Sequence, residues 1–183
     1  MNAVTPMKPA AAPGQAAGPE STVPAQYLTF ALGEELYGLP ILVVKEIIEY
    51  SALTEVPLMP KTISGVINLR GAVVPVMDLS ARLGRAPCTV GRRTSIVIVE
   101  QKHKTDGPMI GLIVDSVSAV KTVDPKDIEP PPTFGMKVPA YYIGGMAKMG
   151  SKFVILLQVD QVLDLADLTP AAGQDLLAAP DQD

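Results

Sequence analysis

Tryptophan is absent from this chain, aromatic residues of any kind make up 4% of its 183 residues, and cysteine and histidine occur once each, as Cys88 and His103. So few aromatic rings give successive bases nothing to stack on, which argues against single-stranded nucleic acid as a ligand. One cysteine cannot close an intramolecular disulfide, and nothing in the chain asks for an oxidising compartment. One histidine leaves a metal site or an acid–base relay short of ligands. Long hydrophobic runs are also missing: stretches such as 153–157 and 96–99 fall far short of the ~20 residues a membrane-spanning helix needs. The N-terminus carries Lys8 but no apolar run and no arginine cluster, so it reads as neither a secretory signal nor a transit peptide. A cytoplasmic location is the expectation. The charge excess is small, 15 basic against 19 acidic residues for a net −4. No basic run could follow a phosphate backbone, so DNA and acidic membranes are poor partners.

The chain does have aliphatic residues in short runs, broken by 18 prolines and 15 glycines. Residues 1–25 hold 14 Ala, Pro or Gly and two charges, Lys8 and Glu20, with no period that could bury a face, and read as a disordered leader. Residues 169–183 read as a flexible tail, which leaves a folded domain over 26–168. Within it the punctuated β-branched runs predict an all-β fold of sandwich or barrel type. Strands are expected at 26–32, 36–39, 52–56, 65–69, 72–77, 94–100, 109–114, 117–123, 141–149 and 153–159. Helices are few and short: 41–48 after Pro40, a turn over 78–83 ending at Gly84, and 160–168. The run Val73-Val74-Pro75-Val76-Met77 is apolar on both faces, which suggests strands covered on each side, as two packed barrels would cover them. The polar stretch 101–107 reads as an exposed hairpin tip.

The search for chemistry finds little. His103 lies between Lys102 and Lys104 on that tip and reads as a solvated loop residue. Cys88 follows Pro87, and as a nucleophile it would need a histidine or another cation to lower its pKa. The segment Gly145-Met-Ala-Lys-Met-Gly150-Ser151-Lys152 has its last two residues in the wrong order for a phosphate-binding loop and leads into a strand, so it reads as a hairpin turn. Asp124, Asp127 and Glu129, interrupted by Pro125 and followed by Pro130-Pro131-Pro132, lack the glycine spacing of a calcium loop. Arg70 interrupts an apolar stretch and is expected to find a carboxylate or several carbonyls, since an unpaired buried charge costs several kcal/mol. Gly65 and Gly71 bracket this strand and can supply turn or bulge conformations.

These residues carry a resemblance. Tyr27-Leu-Thr-Phe-Ala-Leu-Gly33-Glu-Glu-Leu-Tyr37-Gly38, then Ile41-Leu-Val-Val44-Lys-Glu46-Ile, then Gly65-Val-Ile-Asn68-Leu69-Arg70-Gly71 with Val74-Pro75-Val76 and Asp78-Leu79 are similar to the CheW family of chemotaxis coupling proteins. Gly111-Leu-Ile-Val114-Asp115-Ser-Val117 and 141–145 followed by Ile155-Leu-Leu extend the likeness over the whole folded region. The resemblance implies two intertwined five-stranded SH3-like β-barrel subdomains and no enzymatic activity, cofactor or metal. It implies an adaptor between the cytoplasmic tips of methyl-accepting chemoreceptors and the regulatory domain of the histidine kinase CheA, held at membrane-bound receptor arrays by protein contacts. Carried over by position, the coupling residues are Val44, Glu46, Gly65, Asn68, Leu69, Arg70, Gly71, Val117 and Val120, with Glu46 and Arg70 resembling a charge pair that locks the surface. Two rival readings stand beside this one: a small cysteine hydrolase using Cys88, and a coupling protein for a pilus-motility or other chemosensory pathway.

Overall fold

The computed structural model describes residues 23–101 and 107–164. The leader up to residue 22, the tip at 102–106 with His103, and the chain from 165 onward lie outside the described residues. Within them the chain runs β1 (Ala25–Leu32), β2 (Glu35–Pro40), β3 (Val44–Glu49), β4 (Ile63–Leu69), β5 (Ala72–Asp78), α1 (Leu79–Arg82), β6 (Ser95–Glu100), β7 (Met109–Val114), β8 (Ser116–Val123), β9 (Ile128–Glu129), β10 (Ile143–Met149), β11 (Lys152–Leu157) and α2 (Val159–Val162).

The strands form two sheets. One, in the order β8-β1-β2-β11-β10-β9, takes strands from both ends of the chain and is called the terminal barrel here; the other, β3-β6-β7-β5-β4, is the middle barrel. Because β1 and β2 precede the middle barrel and return to pair with β11, the two are intertwined as expected. The sixth strand of the terminal barrel is the two-residue β9, so each barrel has five principal strands. Both repeat one plan. An edge strand pairs antiparallel with the first strand of a hairpin, whose second strand runs parallel to the last strand of another hairpin.

Alternation along the strands explains why the apolar runs are two-faced. Ile96 and Ile98 of β6 face the middle barrel's own core with Ile67, Val74 and Val76. Val97 and Val99, between and beyond them, face a large central cluster with Leu28, Phe30, Leu112 and Leu157. Val154 and Leu156 of β11 likewise face the terminal barrel's core, while Ile155 and Leu157 join the central cluster. Three cores thus sit in series: one inside each barrel and one between them. Inside each barrel one glycine admits close approach. A Cβ on Gly38 would lie 2.9 Å from Leu156 Cδ2, and one on Gly111 would lie 2.8 Å from Ile96 Cγ2.

Several expected elements are corrected. The helix expected at 41–48 is a single 3-10 turn, Ile41–Val43, followed by β3. Its apolar spacing suits either structure, but burial alternates with period two and β6 supplies the pairing partner, so tertiary pairing decides between them. The strand expected at 52–56 reduces to one bridge, Thr54 to Val66. The 141–149 strand begins at Ile143 after a 3-10 turn, Ala140–Tyr142, and the 153–159 strand stops at Leu157 where α2 begins. That helix starts at Val159 without a side-chain cap, and residues 165–168 lie outside the described residues. Val73 departs from the covered run, being 69% exposed near the hairpin tip.

Candidate functional site

The β4–β5 hairpin turns at Arg70 and Gly71, with φ of 52° and 88°. Two successive positive φ values at a two-residue loop make a type I′ turn, whose twist matches that of the flanking strands. Asn68 supports it by accepting the Gly71 amide on Oδ1 at 2.9 Å. Gly71 suits its position without strain, whereas arginine in the left-handed region is uncommon. The Arg70 guanidinium extends from the turn and donates from Nη2 to Glu46 Oε1 at 2.9 Å. Arg70 is therefore a surface residue, its side chain 79% exposed, and not the buried charge its apolar flanks suggested; the hairpin tip carries it clear of both cores.

Glu46 stands on β3, where the pairing with β6 shifts register between Val44 and Glu46. Opposite Ile98, it faces into the barrel at its open end. β3 and β4 are the two outermost strands of the middle barrel, so the Glu46–Arg70 pair joins the sheet's two edges and closes its mouth. An exposed pair of this kind contributes about 0.5 kcal/mol; its larger consequence is to fix where both charges sit. Gly65 creates a second register shift, beside Ile63. A Cβ there would lie 2.6 Å from the Thr54 carbonyl oxygen, so only glycine lets the 54–66 bridge form. Leu69 packs on the middle barrel's core.

Val117 and Val120 lie on the other barrel. Val117 of β8 packs on the central cluster, as does Val44 of β3. The pairings Val117 to Phe30 and Val44 to Val99 make them equivalent positions of the repeated plan. Val120 is 47% exposed on the same strand. Val44, Glu46 and the 68–71 turn thus belong to the middle barrel, and Val117 and Val120 to the matching edge of the terminal one.

Cys88 offers no nucleophile among the described residues. Its amide donates to Asp78 Oδ2 at 2.8 Å and its thiol donates to Asp115. Burial, and then the Asp115 hydrogen bond and charge, push the thiol pKa up to about 12. Two carboxylates where activation calls for a cation hold the sulfur protonated. His103 lies outside the described residues, and among those described no group of three or more His, Cys, Asp or Glu is placed to hold a metal ion.

Three residues, Arg82, Arg85 and Asp115, make long-range contacts that the sequence did not reveal. Arg82, buried on α1, donates from Nε to Val162 O at 3.0 Å, and from Nη2 to Asp164 O at 3.0 Å and Gln161 O at 3.3 Å. It also lies 5.5 Å from the centre of the Tyr142 ring. Arg85 reaches Leu32 O, Glu35 Oε2 and the Tyr37 hydroxyl. Asp115 accepts from the Gly33 amide. Their signal in the sequence is weak, because each acts on backbone 50 or more residues away.

No described helix is long and apolar enough to cross a membrane. A family model described as the CheW-like domain matches residues 26–167. The chain is 31% identical to the chemotaxis protein CheW of Klebsiella aerogenes, over 80% of this chain and 86% of that protein. It is 32% identical to CheW of Rhizobium meliloti, over 75% and 86%. A crystal structure of the scaffolding protein TtCheW from Thermoanaerobacter tengcongensis superposes with a TM-score of 0.68 at 34% identity, covering 81% of this chain and 93% of that one.

Proposed function

The chain belongs to the family of CheW-like domain proteins, and on that premise we propose that it is a non-catalytic adaptor coupling the cytoplasmic tips of methyl-accepting chemoreceptors to the regulatory domain of the histidine kinase CheA. Its relatives are named chemotaxis proteins and its structural neighbour a scaffolding protein. The raised thiol pKa of Cys88 agrees with a role that needs no nucleophile. As an adaptor, the protein works from the cytoplasm and reaches membrane-bound arrays through protein contacts.

The coupling surface in this reading comprises Val44, Glu46, Gly65, Asn68, Leu69, Arg70, Gly71, Val117 and Val120. The observation that carries it is the exposed Glu46–Arg70 pair, held by a turn whose first residue is an arginine in the left-handed region. Each charge orients the other beside half-buried apolar residues, giving a partner a fixed ionic feature next to an apolar one. A pull-down of the full chain with CheA and with receptor tips tests the reading. The wild-type chain is expected to retain both and Arg70→Glu to lose the ternary assembly, with thermal midpoints nearly equal. Retention of neither partner by the wild type, or full coupling by Arg70→Glu, refutes it.

A further inference from the structure

The repeated strand plan isolates one difference between the barrels. Gly38 pairs with Thr29 and Leu156 in the terminal barrel as Gly111 pairs with Ile98 and Val76 in the middle one. Following the pairings outward from these anchors, Ala119 on β8 takes the place of Glu46 on β3, and Gly150 takes that of Arg70. The ion pair that closes the middle barrel therefore has no counterpart in the terminal one. At the corresponding mouth lies a cavity of about 420 Å3, lined by Thr29, Leu36, Ser118, Lys121, Lys152 and Val154 among others.

Strand alternation directs both lysines toward this cavity. Lys152 shares a face with Val154 and Leu156, and Lys121 with Val123; those three apolar residues form part of the terminal barrel's core. No described carboxylate forms an ion pair with either lysine. The Thr29 hydroxyl is already engaged, donating to Ala119 O at 2.8 Å. The mouth thus has an apolar floor of Leu36 and Val154 and two cations, with Ala119 where its twin has a glutamate.

We infer that the mouth of the terminal barrel is a second docking site, which takes an acidic side chain of a partner polypeptide. The partner's carboxylate sits between Lys121 and Lys152, where the middle barrel uses its own Glu46, and an apolar neighbour of that residue covers the half-buried Leu36. Charge complementarity selects the carboxylate, and the precedent of Glu46 selects a side chain as its carrier. The inference rests on the adaptor reading only in taking the occupant to be a polypeptide.

The test is an amide-shift titration of the full isotope-labelled chain by NMR with three probes: the peptide acetyl-Ala-Leu-Glu-Leu-Ala-amide, its Gln counterpart, and butyrate. The Glu peptide is expected to shift amides of β8 and of the β10–β11 tip and to bind at least tenfold more tightly than either other probe. Binding should be lost in Lys121→Gln/Lys152→Gln. Ala119→Glu, which supplies the missing carboxylate from within, should fold and bind the peptide at least tenfold more weakly. Equal binding of the Glu and Gln peptides, shifts elsewhere or none, or retained binding in the lysine variant overturns the inference. Butyrate matching the Glu peptide also overturns it, by making the mouth a site for small acids. No kinase or receptor is present, so this failure is distinct from a failure of the coupling pull-down.

Discussion

Arg70 and Gly150 occupy the same place in the two hairpins that the fold repeats, and share left-handed backbone at φ 52° and 63°. One hairpin uses the residue that the geometry favours. The other uses an arginine, at a conformational cost of about 1 kcal/mol, and its guanidinium meets Glu46.

Replacing Arg70 with glycine is therefore expected to leave stability unchanged or raise it by up to about 1 kcal/mol, since relieved strain outweighs a surface ion pair. Coupling of receptor to kinase should fall sharply. Denaturant unfolding and a coupled phosphorylation assay measure the two separately; an Arg70→Gly chain that couples normally removes Arg70 from the surface.

If the geometry of the pair matters more than the sign of each charge, exchanging the two should rescue function. Glu46→Arg and Arg70→Glu are each expected to uncouple alone, and the double variant to recover at least part of the signal. A double variant as poor as the worse single one would mean that a partner reads the charges individually.

Gly65→Ala places a methyl group 2.6 Å from the Thr54 carbonyl. It should destabilise the fold by about 2 kcal/mol through loss of the 54–66 bridge and strain at the register shift. Gly71→Ala has open space around it but a φ of 88°, so its expected cost is smaller, about 1 kcal/mol. Paired denaturation curves check the order, which reverses if turn conformation dominates close approach.

Cys88 should resist alkylation in the native state. With its pKa pushed up to about 12 from an ordinary 9, the thiolate fraction at pH 8 falls on the order of a thousandfold. Stability follows the same shift. Above pH 9 the unfolded thiol releases a proton that the folded one keeps, so this contribution is present below pH 9 and lost as pH rises toward 12. Cys88→Ala should flatten that part of the pH–stability curve. Iodoacetamide labelling as fast in native as in unfolded protein would show that the thiol is not held protonated.

Removing the Arg82 guanidinium, as in Arg82→Met, withdraws donors from the carbonyls of Gln161, Val162 and Asp164. A loss of about 3 kcal/mol is expected, with Arg82→Lys intermediate because an ammonium cannot reproduce the fork. Hydrogen exchange should quicken first in α2. Unchanged protection there would assign the contact little weight.

Strand positions were legible where local pattern and pairing agree. The runs at 26–32, 72–77 and 109–114 are β-branched or alternating, and each is a strand. The two-faced apolarity of the run in β5 already pointed to strands covered on both sides, although Val73 itself is exposed. Segment 41–48 was not legible, because an Ile/Val spacing that suits a helix also suits an edge strand once β6 is beside it. The exposure of Arg70 was not legible for a related reason: apolar neighbours in sequence do not bury a residue that a tight turn lifts to the surface.

By itself the sequence determined the β character of this protein, its two-layered apolar runs and the motif around Arg70, because strand periodicity and turn chemistry are local properties. Only the tertiary structure decided which residues meet. Glu46 reaches Arg70 across the closed edge of one barrel, Arg82 caps a helix 80 residues away, and on the other barrel Gly150 lines a cavity together with Lys121 and Lys152. These relations depend on how two curled sheets bring distant strands together, and short-range pattern carries no record of that closure.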